Sequence, residues 1–278
     1  MKLGGTSVDI VSDGTILLDG GSVFGQIPKV YWEIHMKPDR KNRVRMGLNC
    51  LLIQTPTMNV LVDTGAGAKR ADKFRDLYGL NGNKLLKDLK KLGMTARDID
   101  VVVLTHLHFD HGGGCTKLDR SGNAVPTFTK AKYVVQRACW EKANDPNERE
   151  KSLYYSDDFL PLEENGLLTL LDGDSEIAPG VRTQVTGGHS DGHQIVLVEA
   201  GSERIAYLGD LIPTPYHVPL ASIAAFDQSP NDTLQQKRDV ISMAAEGGWL
   251  LVFGHGFVPR AGYVEYRNGK SQFLPVDI

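Results

Sequence analysis

At 278 residues the chain is long enough to bury a sizeable core, and without a Pro/Ser/Gly linker or a shift in composition it reads as one large domain over residues 1–278. A hydrophobic share of 41%, a charged share of 23% and a formal net charge of -3 suit a soluble globular protein and exclude a nucleic-acid partner held by a basic surface. No apolar run nears the ~20 residues of a membrane span, and Met1-Lys2-Leu3-Gly4-Gly5-Thr6 lacks the apolar core of a signal peptide.

Strand-length segments bounded by Gly, Asp or Asn recur along the chain, at 8–11, 15–18, 30–34, 48–54, 59–62, 101–104 and 133–136. More follow at 167–171, 181–185, 194–199, 204–208 and 250–253. Helical periodicity falls between them at 84–92, at 137–144 and at 232–245, the last after a cap at Asn231. The basic stretch 37–45 is interrupted by Asp39, Asn42 and Val44 and reads as a solvated loop. Strands and helices alternate too irregularly for a Rossmann or barrel repeat. The cysteines Cys50, Cys115 and Cys139 form no Cys-x-x-Cys pair, and their odd number argues against a disulfide framework, so a reducing cytoplasm is expected.

Chemistry concentrates just after the apolar run 101–104. His106, His108, Asp110 and His111 place three imidazoles and a carboxylate within six positions, ahead of Gly112-Gly113-Gly114. Such a cluster is not buried without something to pair with it, and divalent cations do so. His106 and His108 converge on one ion from an extended or turning backbone, while Asp110 and His111 face a second. Three later strand ends each deliver one further candidate in a glycine turn: His189 after Gly187-Gly188, Asp210 after Gly209, and His255 after Gly254. Ligands brought from strand ends are what a preorganised site requires.

That ordered set, His-x-His-x-Asp-His followed by a distant His, an Asp and a last His, resembles the hallmark of the metallo-beta-lactamase superfamily. The resemblance implies a four-layer αββα sandwich of two mixed sheets flanked by helices. It implies that His106, His108 and His189 hold one metal, that Asp110, His111 and His255 hold the other, and that Asp210 bridges them. Asp63, in Val62-Asp63-Thr64-Gly65, matches the carboxylate that orients a ligand histidine in this superfamily. His193 is expected to hold its turn together, and Cys115 to be a small buried residue. Zinc is the first choice for both ions, with iron, manganese and cobalt also admitted by imidazole and carboxylate ligation.

Within the superfamily, the run 106–111, then Val134-Val135-Gln136-Arg137, then 189–194, is similar to the quorum-quenching N-acyl homoserine lactonases. Phosphotriesterases resembling methyl parathion hydrolase share the same ligands. This chain departs from the lactonases at Asp191, where proline is usual, and at Pro213, where their tyrosine stands three residues after the bridging aspartate. Tyr216 and His217 are the nearby candidates to replace that tyrosine as acid, and Asp110 is expected to accept or relay a proton.

The function implied is hydrolysis of a small lactone or ester by a hydroxide shared between two metals. A phosphotriesterase is the alternative, and a metal-dependent binding protein without turnover is a third reading. The chain is expected to act as a monomer or homodimer, with no nucleic acid or membrane. Phe74, Leu77 and Tyr78, with Tyr31 and Trp32, are candidates for acyl-chain contacts, although core or dimer packing is the favoured reading.

Overall fold

The apolar runs are too continuous for strands with one wet face: Leu51, Leu52 and Ile53 are all fully buried, as are Val60, Leu61 and Val62. Successive side chains on a strand point to opposite faces, so such runs need cover on both sides. The computed structural model, which describes residues 1–82, 84–267 and 270–277, supplies it with two seven-stranded sheets packed together.

The first sheet contains β1 (Lys2–Leu3), β2 (Thr6–Asp19), β3 (Arg43–Gln54), β4 (Asn59–Val62) and β5 (Val101–Val103). After a separate ribbon of β6 (Thr116–Leu118) and β7 (Ala124–Pro126), it is completed by β8 (Lys132–Gln136) and β9 (Leu168–Leu171). Its neighbours run parallel from β4 to β9 and antiparallel before that. The second sheet follows chain order: β10 (Ser175–Ala178), β11 (Val181–Val185), β12 (Gln194–Ala200), β13 (Glu203–Tyr207), β14 (Leu250–Val252), β15 (Ala261–Arg267) and β16 (Lys270–Val276). Only its β13–β14 pairing is parallel. The helices are α1 (Gly20–Phe24), α2 (Lys29–Trp32), α3 (Arg75–Tyr78), α4 (Leu85–Lys91), α5 (Phe109–Gly112), α6 (Arg137–Asn144), α7 (Leu160–Glu164) and α8 (Pro230–Gly247).

Alternation assigns each side chain to a layer. Leu51, Ile53, Val60, Val62 and Val103 meet Val181, Val196, Val198, Ile205 and Val252 between the sheets. Their sequence neighbours Leu52, Leu61 and Val102 turn outward beneath Leu85 and Leu89 of α4, Trp140 of α6 and Leu162 of α7. On the opposite outer face, Ile195, Leu197 and Leu251 pack on Val240, Ile241 and Ala244 of α8. Helices thus cover both outer faces of a two-sheet sandwich, the four-layer αββα arrangement expected.

Several elements differ from the sequence reading. Segment 30–34 is not a strand: α2 begins behind Pro28, buries Trp32 and leaves Val30, Tyr31 and Ile34 exposed, because no sheet edge lies beside it. Segments 8–11 and 15–18 are one strand, β2, whose pairing with β3 slips between Ser12 and Thr15. The slip turns Asp13 inward, where its carboxylate accepts from the backbone N–H groups of Gly67, Lys84 and Leu85. The long C-terminal helix is capped by Ser229 with Pro230 in its first turn, rather than by Asn231. The stretch 37–45 is only partly a loop, since β3 begins at Arg43. The hairpin β15–β16 was not anticipated, because Glu265, Arg267 and Gln272 interrupt its apolar pattern.

One polar strap ties the sheets together at the end where the candidate ligands emerge. Asn49, in the middle of β3, donates through Nδ2 to Phe253 O at 2.9 Å and Gly256 O at 2.6 Å, while its own N–H donates to Gly254 O. Tyr207 of β13 donates its hydroxyl to Asn49 O at 2.6 Å. Replacing Asn49 with alanine leaves the buried Gly256 O without its donor and Phe253 O with only the longer bond from Gly256 N, which costs about 2 kcal/mol. Urea unfolding of Asn49→Ala should show a lower midpoint with an unchanged slope.

Candidate metal centre

Each candidate ligand stands where a strand gives out. β5 delivers His106, α5 carries Asp110 and His111 with His108 at its cap, and β11, β13 and β14 lead to His189, Asp210 and His255. The ligand atoms of His106, His108, His189 and Asp210 lie within 4.8 Å of one another, and so do those of Asp110, His111 and His255. The five histidines are buried, while Asp110 and Asp210 keep 12% exposure. Asp210 spans the two groups. Its Oδ2 is 3.3 Å from His189 Nε2, and its Oδ1 is 3.2 Å from Nε2 of both His111 and His255.

The outward hydrogen bonds decide which nitrogens carry lone pairs. His255 Nδ1 lies 2.8 Å from Gly47 O, and a carbonyl only accepts, so Nδ1 is protonated and the lone pair of the neutral ring falls on Nε2. His111 Nδ1 donates to Asp63 Oδ2 at 2.8 Å, and His189 Nδ1 donates to Asp227 Oδ1 at 2.8 Å, with the same result. Yet His111 Nε2 and His255 Nε2 stand 3.0 Å apart, and His189 Nε2 is 3.1 Å from His108 Nδ1. Lone pairs on nitrogens this close repel unless a proton or a cation lies between them. Asp210 Oδ1 is likewise buried with no hydrogen bond. An all-nitrogen-and-oxygen donor set turned inward in this way fits divalent cations.

Electrostatics follow the same plan. Burial and the surrounding imidazoles push His106 and His108 well below the ordinary histidine value, so both are neutral. Burial opposes charge on His111, His189 and His255 too, but the Asp210 carboxylate outweighs it and raises all three. Asp210 is held well below the usual carboxylate range: burial acts against this, but His255, His111 and His189 prevail.

Around the ligands sits a shell of orienting groups. Asp63, in a left-handed conformation with φ 58°, accepts from Thr105 N, Thr105 Oγ1 and His111 Nδ1, and its Oδ2 lies 3.1 Å from Tyr207 Oη, sharing the proton that Tyr207 gives to Asn49 O. His193 belongs to neither ligand group. Its Nε2 accepts from Asp210 N at 3.0 Å while Nδ1 meets Thr186 Oγ1 at 2.7 Å, so it aims the aspartate as well as closing its own turn. Gly209, at φ +50°, is required there, because a Cβ would sit 2.8 Å from His193 Nε2. Sequence reasoning missed Asp227, which stands in a loop with no strand before it and offers no local signal. It also missed Thr105, whose Oγ1 lies 3.0 Å from His106 Nδ1. Cys115 is fully buried, its thiol pushed up to about 12 by burial, outside both groups.

The ligands open onto a cavity of about 380 Å³ walled by Leu17, Leu18, Val23, Met46, Leu77, Tyr78, Phe109, Leu153 and Phe226. Of the aromatic candidates, Tyr78 lines it with Leu77, Phe74 is buried behind them, Trp32 is core and Tyr31 points to solvent. Tyr216 and His217 are not among the lining residues, and the two expected acids require correction. Tyr216 stacks on His35 at 5.2 Å in a neighbouring cleft. His217 is fully buried, stacked on Phe24, with Nε2 donating to Val23 O at 2.9 Å and Nδ1 bonded to Thr214 Oγ1 at 2.7 Å. Both of its nitrogens are spent on tethering.

Burial lowers the His217 pKa to about 4. An unfolded histidine near 6.5 therefore takes up its proton first, and stability falls as pH drops from about 6.5 through 4, by about 3 kcal/mol from this residue. Urea midpoints at pH 7 and pH 4.5 should draw closer together in His217→Asn than in the parent. For the metal centre, Asp227→Ala leaves His189 Nδ1–H without its acceptor. Zinc titration against a chromophoric chelator should show affinity reduced ~10–100-fold.

Comparison with known proteins places this geometry. A solved structure of a probable metal-dependent hydrolase from Staphylococcus aureus is 30% identical, with a TM-score of 0.90 over 100% of this chain and 99% of that one. The dizinc quorum-quenching lactonase AidC, in complex with a product, shares the fold at 20% identity, with a TM-score of 0.82 over 100% of this chain and 97% of that one. An N-acyl homoserine lactonase of Bacillus cereus is 28% identical over 178 residues, 60% of this chain and 64% of that protein, so the match spans less than two-thirds of the relative's length. The model of the Metallo-beta-lactamase superfamily matches residues 44–255, opening inside β3 and closing on His255, the last of the converging ligands. That stretch holds both ligand groups and the strands that position them: the chain belongs to the metallo-beta-lactamase superfamily.

Proposed function

We propose that this protein is a dinuclear metallohydrolase that opens lactones or related esters, with N-acyl homoserine lactones as the first candidates. One observation carries the reading: Asp210 offers one oxygen to each of two buried histidine groups at the floor of an apolar cavity. In this reading His106, His108 and His189 hold one ion, Asp110, His111 and His255 hold the other, and Asp210 is shared. Zinc suits the mixed imidazole and carboxylate set best, with iron, manganese and cobalt compatible. Such ions, when bound, supply the Lewis acidity that lowers the pKa of water and stabilises charge on a carbonyl oxygen.

The side chains of the chain itself do the remaining work. Asp110, on the cavity wall and partly exposed, accepts the proton that the attacking water gives up. Asp63, Asp227, Thr105 and Gly47 keep the imidazoles aimed, so no reorientation is needed during reaction. The apolar wall from Leu17 to Phe226 takes up an acyl chain and keeps bulk water from the reacting carbonyl. The lactonase activity named for the Bacillus relative supports a lactone as substrate. Pro213 on the cavity wall favours a second reading. An aryl phosphotriester releases a phenolate that needs no acid, so a chain without a tyrosine at that position also suits a phosphotriesterase.

Metal-loaded enzyme assayed against N-hexanoyl homoserine lactone and an aryl dialkyl phosphate decides between them. We expect kcat/KM for the lactone to be at least ~10-fold higher, and the reverse order would establish the phosphotriesterase. Asp210→Asn should lower kcat/KM on the preferred substrate at least ~100-fold and reduce the bound metal below that of the parent, measured by elemental analysis. Chelation should abolish activity, and zinc should restore it.

A further inference from the structure

Opening a lactone leaves an aliphatic alkoxide that must gain a proton, and with Tyr216 and His217 outside the cavity the donor has to come from elsewhere. Besides the histidines, the cavity wall carries four side chains with an O–H or N–H group: Ser22, Lys41, Arg43 and Tyr78. An aliphatic hydroxyl such as Ser22 is no stronger an acid than the alcohol it would serve. The Lys41 side chain is exposed to solvent. Arg43 is fully engaged, with Nε and one terminal nitrogen on Asp39 and the other on the carbonyls of Asp76 and Leu77. Tyr78 remains. Its ring packs on Phe74 at 5.1 Å and on Phe109 at 5.3 Å, the residue that precedes Asp110 in the chain, and its hydroxyl has no hydrogen-bond partner among the described residues.

We propose that Tyr78 is the acid that protonates the departing alkoxide oxygen, a role that rests on the hydrolase reading above. The atoms balance with one water consumed. The water oxygen bonds to the acyl carbon, the ring C–O bond breaks, and the leaving oxygen takes the Tyr78 proton. The phenolate then recovers the proton that Asp110 accepted from the water. Tyr78 is held ready for this. A phenol keeps its proton through the neutral range and is a far stronger acid than an alcohol. The helix that presents it is fixed at both sides: Arg43 grips the carbonyls of Asp76 and Leu77, and Gly79 closes α3 at φ 66°, where a Cβ would also meet Leu17 Cδ1 at 2.8 Å.

Tyr78→Phe keeps the ring and removes only the proton. On N-hexanoyl homoserine lactone its kcat should fall at least ~100-fold while KM stays within ~3-fold. On 4-nitrophenyl hexanoate, whose leaving group needs no proton, kcat should stay within ~3-fold. A loss of equal size on both substrates, or no loss on the lactone, overturns the proposal. A binding measurement independent of turnover accompanies it. Deleting the hydroxyl of the open-chain product, by comparing N-hexanoyl homoserine with N-hexanoyl 2-aminobutanoate, should weaken binding ~10-fold in the parent and ~2-fold or less in Tyr78→Phe. Equal ratios in the two proteins also overturn it. Failure of the parent enzyme to open the lactone is a separate result, visible before any variant is compared, and it removes the lactonase reading and the role of Tyr78 together.

Discussion

The structure turns on a repulsion. In their neutral rings His111 and His255 present Nε2 lone pairs 3.0 Å apart because Asp63 and Gly47 engage their Nδ1 protons, and Asp227 does the same to His189. Lone pairs held this close in a buried site are costly in isolation and become favourable around a cation, so the binding free energy of an ion is also folding free energy. The orienting groups come from separate parts of the chain: Gly47 from β3, Asp63 from the end of β4, Asp227 from a loop before α8, and Tyr207, which supports Asp63, from β13. Closing the sandwich and aiming the imidazoles are therefore one event. The Asn49 strap reinforces this, since the backbone it grips, from Phe253 to Gly256, contains His255 itself.

The loop between Asp210 and α8 shows why two plausible proton donors are absent from the chemistry. Pro213 O accepts from His255 N, His217 joins Thr214 to Val23 O, Ser22 O accepts from Ala225 N, and Asp227 reaches His189. The Lys237 ammonium, buried beneath it, donates to the carbonyls of Pro219, Leu220 and Ser222. A segment so thoroughly tethered acts as scaffold. His217 is neutral and committed at both nitrogens, which suits a cross-link and removes it from proton transfer.

Much of this was legible in the sequence where the signal was local. The strands at 59–62 and 181–185 and the helix at 137–144 appear with the bounds read from alternation and periodicity, because each buries its own pattern against a continuous layer. The candidate ligands were visible as histidines and aspartates beside glycine turns, a pattern written within a few residues. Groups that act across distance were not visible. Asp227 meets a residue 38 positions away, and Gly47 O meets one 208 positions away, and neither pairing leaves a mark on its own neighbourhood. Segment 30–34 failed for the opposite reason: Val30, Tyr31 and Ile34 favour a strand locally, but no sheet edge is there to receive one.

Arg43 belongs to the same long-range class and separates substrate handling from metal handling. Read in sequence it is one cation in a solvated basic stretch, yet its guanidinium, locked by Asp39, grips the last carbonyls of α3 from 33 and 34 positions away. A four-residue helix has no stability of its own, so its place over the cavity is set by this grip, by Gly79 and by the Phe74 contact. The candidate ligands descend from sheet ends that cannot move without unpacking the core. The wall that carries Leu77 and Tyr78 is held instead by the partly exposed Arg43, by Gly79 and by the Phe74 contact. A fold built this way can keep its metal chemistry fixed while the shape and acidity of the wall vary, because the two are held by different parts of the chain.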